Sequence, residues 1–238
     1  VSSSPLNDEA EGAVKAVIPQ DAKGRTPLSI AAREGDAARI RQLLDAGAAV
    51  DARSASMNIT PLMGAANRTN AAPLVRLLLD AGADPTAAAR NGAGALARAV
   101  LGGDVEAAQM LLEAGANPRG AVTKAPPNTT PIWVAVAFKR PEMLDLLLAH
   151  GAEVNLGDSF TGTLFEEAVR SGNAVIARKL LEAGANPSRP GLMNLPLQAV
   201  ALRFVNPPMA QLLEEYHLSL ARADDEGTAG EAGETDRL

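Results

Sequence analysis

The sequence predicts an all-α repeat solenoid, and three observations lead to this prediction. A short pattern recurs six times along the 238 residues at spacings of 32 to 36 residues, which is the range of helical repeats. Each copy contains a leucine pair, and in five copies a glycine follows it, as at the end of a helix. Aromatic residues make up only 3% of the chain although 47% is hydrophobic, so small aliphatic side chains must form a closely packed helical core rather than a β-sandwich.

Two sequence blocks define each repeat. The leucine pairs mark the second helix and are Leu43-Leu44, Leu78-Leu79, Leu111-Leu112, Leu147-Leu148, Leu180-Leu181 and Leu212-Leu213. The upstream blocks begin the first helix and are Thr26-Pro27-Leu28, Thr60-Pro61-Leu62, Gly94-Ala95-Leu96, Thr130-Pro131-Ile132, Thr163-Leu164-Phe165 and Leu195-Pro196-Leu197. The repeats therefore start near residues 22, 56, 90, 126, 159 and 191.

The first unit shows how each helix starts and stops. Thr26 is suited to cap the first amide groups, and Pro27 at the first helical position loses no hydrogen bond. Gly35 provides a tight turn, after which a second helix carries Leu43 and ends at Gly47. Neither short helix can bury its apolar face alone, so stability must come from stacking on the next unit, where each fully buried leucine contributes about 2 kcal/mol.

One pattern makes the architecture more specific: Gly24-x-Thr26-Pro27-Leu28-x-x-Ala31-Ala32-x-x-Gly35-Asp36, followed by Leu43-Leu44-x-x-Gly47-Ala48. This pattern resembles the ankyrin repeat, and the likeness covers residues 21–217. It implies about six repeats including caps, each a pair of antiparallel helices, with β-hairpin fingers between units and a concave surface formed by fingers and first helices. We expect a capping segment at 1–20, the array at 21–220 and an acidic disordered tail at 221–238.

Some positions depart from the pattern. Arg98 and Glu167 stand where the first unit has Ile30, so either the register shifts there or these charges are solvated at the edge of the stack. Lys139-Arg140-Pro141 and Asn206-Pro207-Pro208 replace the turn that Gly35 begins in the first unit, which predicts locally irregular repeats.

The sequence predicts no catalytic residue, metal site or cofactor. The chain has no cysteine, and the histidine before a capping glycine, His150, has a structural place in the repeat. His217 is expected to form a surface pair with Glu214, and Glu166 and Glu167 to be solvated, because adjacent helical residues do not face one another. The run 91–96 is glycine-rich, but the repeat alignment places it in a finger rather than in a phosphate-binding loop.

Charge and hydropathy narrow the partner class. A protein with a net charge of -6 does not attract nucleic acid or an anionic membrane electrostatically. Apolar stretches such as Leu144–Ala149 are too short to span a bilayer. We expect a monomer that binds another protein. The cellular location is the cytoplasm or, if a signal peptide preceded Val1, the periplasm or the exterior; the sequence leaves both alternatives open.

The resemblance implies that finger tips and the exposed ends of the first helices hold the partner. Apolar residues there have no folding role and mark interaction sites, and they are Met57, Ile59, Leu101, Phe138 and Phe160. Trp133, the only tryptophan, is a candidate anchor on the same side, although Trp133 and Phe138 could instead fill gaps in an irregular fourth repeat. Arginines on this side suit a partner with acidic patches, or are merely solvated, and they are Arg25, Arg33, Arg68, Arg170 and Arg203.

The leading hypothesis is a non-catalytic protein-binding scaffold. The bias towards Ala, Arg, Gly and Pro is typical of a GC-rich bacterium, in which such proteins serve as adaptors, effectors or immunity proteins; this last step rests on resemblance alone. An alternative is a small-molecule-binding protein that uses the concave groove, which a deep pocket with convergent polar groups would support. An enzyme is the third hypothesis, and it would require turnover that is abolished by mutating an acid or His150.

Overall fold

The computed structural model describes residues 21, 24–121, 126–158, 162–189 and 207–216. Within the described residues up to 189, ten α-helices follow one another as five pairs, which confirms the all-α repeat solenoid. In chain order they are α1 Pro27–Glu34, α2 Ala37–Asp45, α3 Pro61–Ala66, α4 Ala72–Asp80, α5 Ala95–Gly102, α6 Val105–Glu113, α7 Pro131–Ala137, α8 Pro141–Ala149, α9 Leu164–Arg170 and α10 Ala174–Glu182. A short 3-10 helix, Pro127–Thr129, precedes α7.

Residues 207–216 form a further helix in which Leu212 and Leu213 are buried. This is the place of the second helix in a sixth repeat. The predicted capping segment 1–20 and the predicted tail 221–238 lie outside the described residues.

Threonine caps begin four of the five first helices, as the sequence predicts. The hydroxyl groups of Thr26, Thr60, Thr130 and Thr163 accept hydrogen bonds from the backbone N–H three residues later, at 3.1 to 3.4 Å. These threonines are buried, so the bonds are shielded from water. In the third repeat Gly94 stands at the cap and offers no side chain for this bond.

The turn between the paired helices keeps its backbone conformation even where glycine is missing. Gly35 and Gly103 have positive φ angles of 86° and 80°, and Lys139 adopts the same region with φ 55°. The prediction that the fourth repeat is irregular is therefore wrong. Its second helix, α8, begins directly at Pro141, a residue well suited to the first helical position. Asn206 of the sixth repeat lies outside the described residues.

Two rows of helices build the stack. The first helices contact one another in the order α1, α3, α5, α7 and α9, and each packs against the second helix of its own repeat. The second helices form an outer row, in which α4, α6, α8 and α10 are in contact. The hydrophobic core lies between the rows, where residues such as Ile40, Leu78, Leu111 and Leu147 are fully buried.

Hairpin loops connect the repeats at one edge of the stack. In the loop before α9, strands β1 Gly157–Asp158 and β2 Gly162–Thr163 pair antiparallel, and an isolated bridge joins Ala88 to Gly94 in an earlier loop. Neighbouring loops are also joined to each other, since the N–H of Arg90 donates to the carbonyl of Met57 at 2.9 Å. These loops are the fingers that the resemblance implies.

Polar side chains tie successive repeats together on the outer row. Asp104 accepts from the N–H of Ala107 at the start of its own helix, at 2.9 Å, and from the N–H of Ala72 at the start of α4, at 3.0 Å. One carboxylate thus serves two helix N-termini that otherwise have unsatisfied amide groups.

Within the described ranges, no helix is long and apolar enough to cross a membrane.

Candidate partner-binding surface

The first helices leave one face free of packing, which we call the open face. In α5, neighbouring helices α3 and α7 cover two sides and α6 covers the back, so the remaining side carries Arg98 and Leu101. The equivalent positions of the other first helices complete the face. They are Ile30 and Arg33 on α1, Gly64 and Asn67 at α3, Val134 and Ala137 on α7, and Glu167 and Arg170 on α9.

Three of the predicted apolar contact residues are exposed. Met57 lies at a finger tip, Leu101 on the open face, and Phe138, the most exposed of them at 55%, directly follows α7. Ile59 is only half-buried and packs against the core, while its N–H donates to the Ser54 hydroxyl at 3.0 Å. Phe160 lies outside the described residues.

Trp133 is not the solvent-facing side chain that the sequence suggested. It is 7% exposed and belongs to the hydrophobic core, so its burial favours the alternative explanation that the ring fills space in the fourth repeat. The reason is that Trp133 is the third residue of α7, and the third residue of the first helix is buried in each of the five repeats whose first helix is described. The equivalents of Trp133 are Ser29, Met63, Ala97 and Glu166. Because α5 contacts α7 and carries only Ala97 at this position, it leaves room for a large neighbour.

The predicted arginines do not form one free row. The guanidinium of Arg25 pairs with Asp21, with Nε 2.7 Å from Oδ2, and Arg170 pairs with Glu167. Arg68 donates from Nη1 to the carbonyl oxygen of Arg33 at 2.6 Å, which satisfies an end group of α1. Arg33 itself is exposed, and contact of these residues with a partner stays a prediction.

Arg98 is the residue whose importance the sequence argument missed. The register does not shift at this position, since its equivalents Ile30, Gly64, Val134 and Glu167 are all half-buried on the open face. Arg98 is not fully solvated either, because its Nε is shielded from water and meets no hydrogen-bond acceptor among the described residues. Burial lowers the pKa of its guanidinium, since the protein surroundings disfavour the charged form.

A signal for Arg98 was present in the sequence. It is the only charged residue in the three central first helices, α3, α5 and α7, which contain no carboxylate. A lone charge on three otherwise uncharged helices is a stronger indication of function than a departure from the repeat pattern alone.

The groups considered for chemistry have structural roles. His150 is exposed at the end of α8, with Nδ1 2.9 Å from the carbonyl oxygen of Leu146. Glu166 is buried rather than solvated, because it completes a capping box with Thr163, and Glu167 pairs with Arg170. Across the described part of the chain, no group of three or more histidine, cysteine, aspartate or glutamate residues could hold a metal ion. His217 lies outside it.

A groove of about 360 Å³ lies on the outer row, between α10 and residues 207–216. Its walls are largely charged or polar, with Arg178, Lys179, Glu182 and Glu215 among them. It lies away from the open face and is wide open to solvent, so it is not the deep pocket that a small-molecule function would require.

Comparison with known proteins supports the interpretation of the repeats. The family model for ankyrin repeats in three copies matches residues 7–89 and 96–190. The ankyrin repeat domain of human ASB11 has a similar fold, with a TM-score of 0.70 and 25% sequence identity over 81% of this chain and 84% of that one.

Curated relatives share shorter stretches. An ankyrin repeat-containing protein of Treponema pallidum is 43% identical over 102 residues, which is 42% of this chain and 33% of that protein. Protein PhlB of Serratia liquefaciens is 41% identical over 91 residues, 37% of this chain and 38% of that protein. The E3 ubiquitin-protein ligase KEG of Arabidopsis thaliana is 30% identical over 158 residues, 62% of this chain but only 10% of that protein. The chain thus spans well under half the length of these relatives.

Proposed function

The chain belongs to the ankyrin-repeat family, and because ankyrin repeats are generally protein–protein interaction modules, we propose that it is a non-catalytic scaffold that binds a partner protein through its open face and fingers. In the family the equivalent face is the concave surface. The partner would therefore lie across several repeats and contact the free sides of the first helices and the tips of the fingers.

The observation that carries this proposal is the exposed apolar group in the third and fourth repeats. Leu101 and Phe138 are both exposed on neighbouring repeats and do not belong to the hydrophobic core. Val134 and Ala137 of α7, the equivalents of Arg98 and Leu101, are half-buried and pack against the core with part of their surface. Clustered apolar side chains of this kind mark interaction sites, and aromatic residues are enriched among those that carry binding energy.

The finer role we propose is that of a bacterial adaptor, effector or immunity protein that blocks its partner. The composition and the similarity to an ankyrin repeat-containing protein of Treponema pallidum and to Protein PhlB of Serratia liquefaciens support this role. We propose that the partner is a protein, not nucleic acid, because the net charge of -6 would repel a phosphate backbone.

Capture of a partner from the source cells tests the proposal. The bait proteins are the wild type, an open-face variant with Leu101→Lys and Phe138→Lys, and an outer-row control with Val105→Lys and Val175→Lys. Val105 and Val175 are 43% and 59% exposed on α6 and α10, so the control adds the same charges to comparable apolar sites. Circular dichroism first establishes that all three are folded.

We expect a stoichiometric protein partner with the wild type and the outer-row control, and its loss with the open-face variant. Retention by the open-face variant would show that binding occurs elsewhere. The absence of any partner for the folded wild type would count against the scaffold function.

A further inference from the structure

We infer that the partner inserts an aspartate or glutamate carboxylate against Arg98, beside apolar side chains that rest on Leu101 and Phe138. This inference rests on the proposed function and makes it more specific, since it names one anchor residue and the chemistry that meets it. Its basis is the half-buried guanidinium of Arg98, which meets no counter-charge among the described residues and is the single charge on the three central first helices.

The first step is the location of Arg98. It is the fourth residue of α5, the middle one of the five described first helices, and Leu101 follows it one turn later on the same free side. Val134 holds the equivalent position in the next repeat, and Gly64 holds it in the preceding one. Gly64 has no side chain of its own, and the atoms nearest to where its Cβ would lie are the carbonyl oxygen of Ser29 and the N and Cβ of Arg33, at 3.7 to 3.8 Å.

The second step is the charge around Arg98. In α3, α5 and α7 it is the only charged residue, although the whole chain has a net charge of -6. Of the other open-face charges, Arg170 pairs with Glu167 on α9, whereas Arg33 on α1 is exposed beside Gly64. Arg68, which follows α3, donates to the backbone of α1. A negative group arriving at the centre of the face would therefore meet the positive charge of Arg98 and no competing carboxylate from α3, α5 or α7.

The third step is the desolvation cost of a half-buried guanidinium without a hydrogen-bond acceptor at its Nε. Its Nε is shielded from solvent and has no acceptor among the described residues, so the free protein loses hydration of this group without gaining a hydrogen bond. The lowered pKa of its guanidinium has the same cause. A half-buried charge with no partner among the described residues is explained if the partner is supplied on binding.

A carboxylate suits this position better than a phosphate group. One guanidinium can hold a carboxylate through two parallel hydrogen bonds, whereas a phosphate dianion carries more charge than a single arginine compensates. The apolar flank of Leu101 and Phe138 requires that the carboxylate come from a segment that also carries apolar side chains. An acidic residue next to aliphatic or aromatic residues in a protein segment has both features.

Selection from a phage-displayed library of random linear peptides tests the inference without knowledge of the natural partner. The whole chain is the target, and the strongest peptide is then synthesised with its carboxylate side chains intact and with each one replaced by the corresponding amide. Binding of each peptide is measured by isothermal titration calorimetry to the wild type, to Arg98→Met and to Arg41→Met. Arg41 is an exposed arginine on α2, so its variant removes the same charge from the opposite side.

We expect the selected peptides to be enriched in aspartate or glutamate next to apolar residues. Removing the critical carboxylate should weaken binding to the wild type and to Arg41→Met by about tenfold or more, as is usual for a charge-assisted hydrogen bond, and should have little effect on binding to Arg98→Met. The thermal midpoint of Arg98→Met should be equal to that of the wild type or higher, which a residue with a purely structural role would not show.

Two results would separate this inference from the scaffold function. If peptides lose binding to the variant with Leu101→Lys and Phe138→Lys but show no coupling between their carboxylate and Arg98, the inference is wrong and the open face still binds protein segments. If peptides bind that variant as tightly as the wild type, or if no sequence is enriched, both proposals fail.

Discussion

Three ion pairs join neighbouring helices of the outer row, whereas Arg98, the single charge on the three central first helices, forms no ion pair among the described residues. Lys179 of α10 lies 2.7 Å from a carboxylate oxygen of Asp145 on α8, and Arg178 of α10 lies 3.0 Å from Glu215 in the last described helix. Arg98 on the open face has no such partner in the described part of the chain. Ion pairs thus join repeats in the outer row, whereas the three central helices of the inner row, which is the row of first helices, carry one charge that is not paired in this way.

The two rows also differ in how closely their helices approach. A Cβ atom on Gly102, the last residue of α5, would lie 2.7 Å from the carbonyl oxygen of Arg68, which follows α3. At this point the first helices of two neighbouring repeats bring backbone against backbone and have little freedom to adjust. The outer row is held by side chains that can move. We expect the largest effects of mutation in the inner row.

The largest expected effect comes from Gly102→Ala, with Gly64→Ala as its matched control. Alanine at Gly102 meets backbone atoms that cannot move aside, so it should lower the free energy of unfolding by about 1–3 kcal/mol despite its better helix propensity. At Gly64 the nearest atom would be 3.7 Å away, so alanine should be neutral or should stabilise by up to ~1 kcal/mol. Urea denaturation measures both, and equal effects would show that the inner row is not closely packed at Gly102.

An intermediate effect compares the charges of the two rows directly. Arg98→Met should leave the free energy of unfolding unchanged or raise it by up to ~1 kcal/mol, because a desolvated charge without a partner is removed. Lys179→Met should lower it by about 0.5 kcal/mol, because a partly exposed ion pair between repeats is lost. Only the Lys179 effect should shrink in high salt. Destabilisation by Arg98→Met would mean that Arg98 serves the fold after all.

The smallest effect concerns a charge at the base of a finger. The pKa of Asp84 lies below its usual value of 3.8, chiefly because the hydroxyl of Thr86 donates a hydrogen bond of 2.6 Å to it, and burial opposes this shift. A carboxyl group with a lowered folded-state pKa adds stability above its unfolded-state pKa, and this stability is lost as the pH falls through the folded-state value. Asp84→Asn should therefore be slightly less stable than the wild type at neutral pH.

The difference between Asp84→Asn and the wild type should disappear in acid. Thermal unfolding of both proteins from neutral pH to below pH ~3 measures this convergence. A constant difference across that range would assign the loss to the shape of the side chain rather than to its charge.

The repeat pattern predicted local structure well because the relevant contacts are local. Thr60 caps the helix that begins one residue later, and Gly47 and Gly82 take up positive φ angles directly after the helices they follow. Such features depend on residues within one turn of each other. They could be read from the sequence without knowledge of neighbouring repeats.

The candidate site was predicted less well because it depends on contacts between repeats. Trp133 and Phe138 are five residues apart in the chain, yet Trp133 is buried in the hydrophobic core and Phe138 is exposed. Arg68 appeared free but lies across the end of α1, more than thirty residues away in sequence. Counting positions along a helix identifies its faces but not which neighbour covers them.

What the sequence by itself determined about this protein is its architecture: a stack of paired helices, their caps and turns, and the ankyrin-repeat family. The tertiary structure decided which side chains of that architecture remain available for a partner. The physical reason is that helix formation and capping depend on a few adjacent residues, whereas the exposure and pairing of Arg98 depend on what three successive repeats place around it.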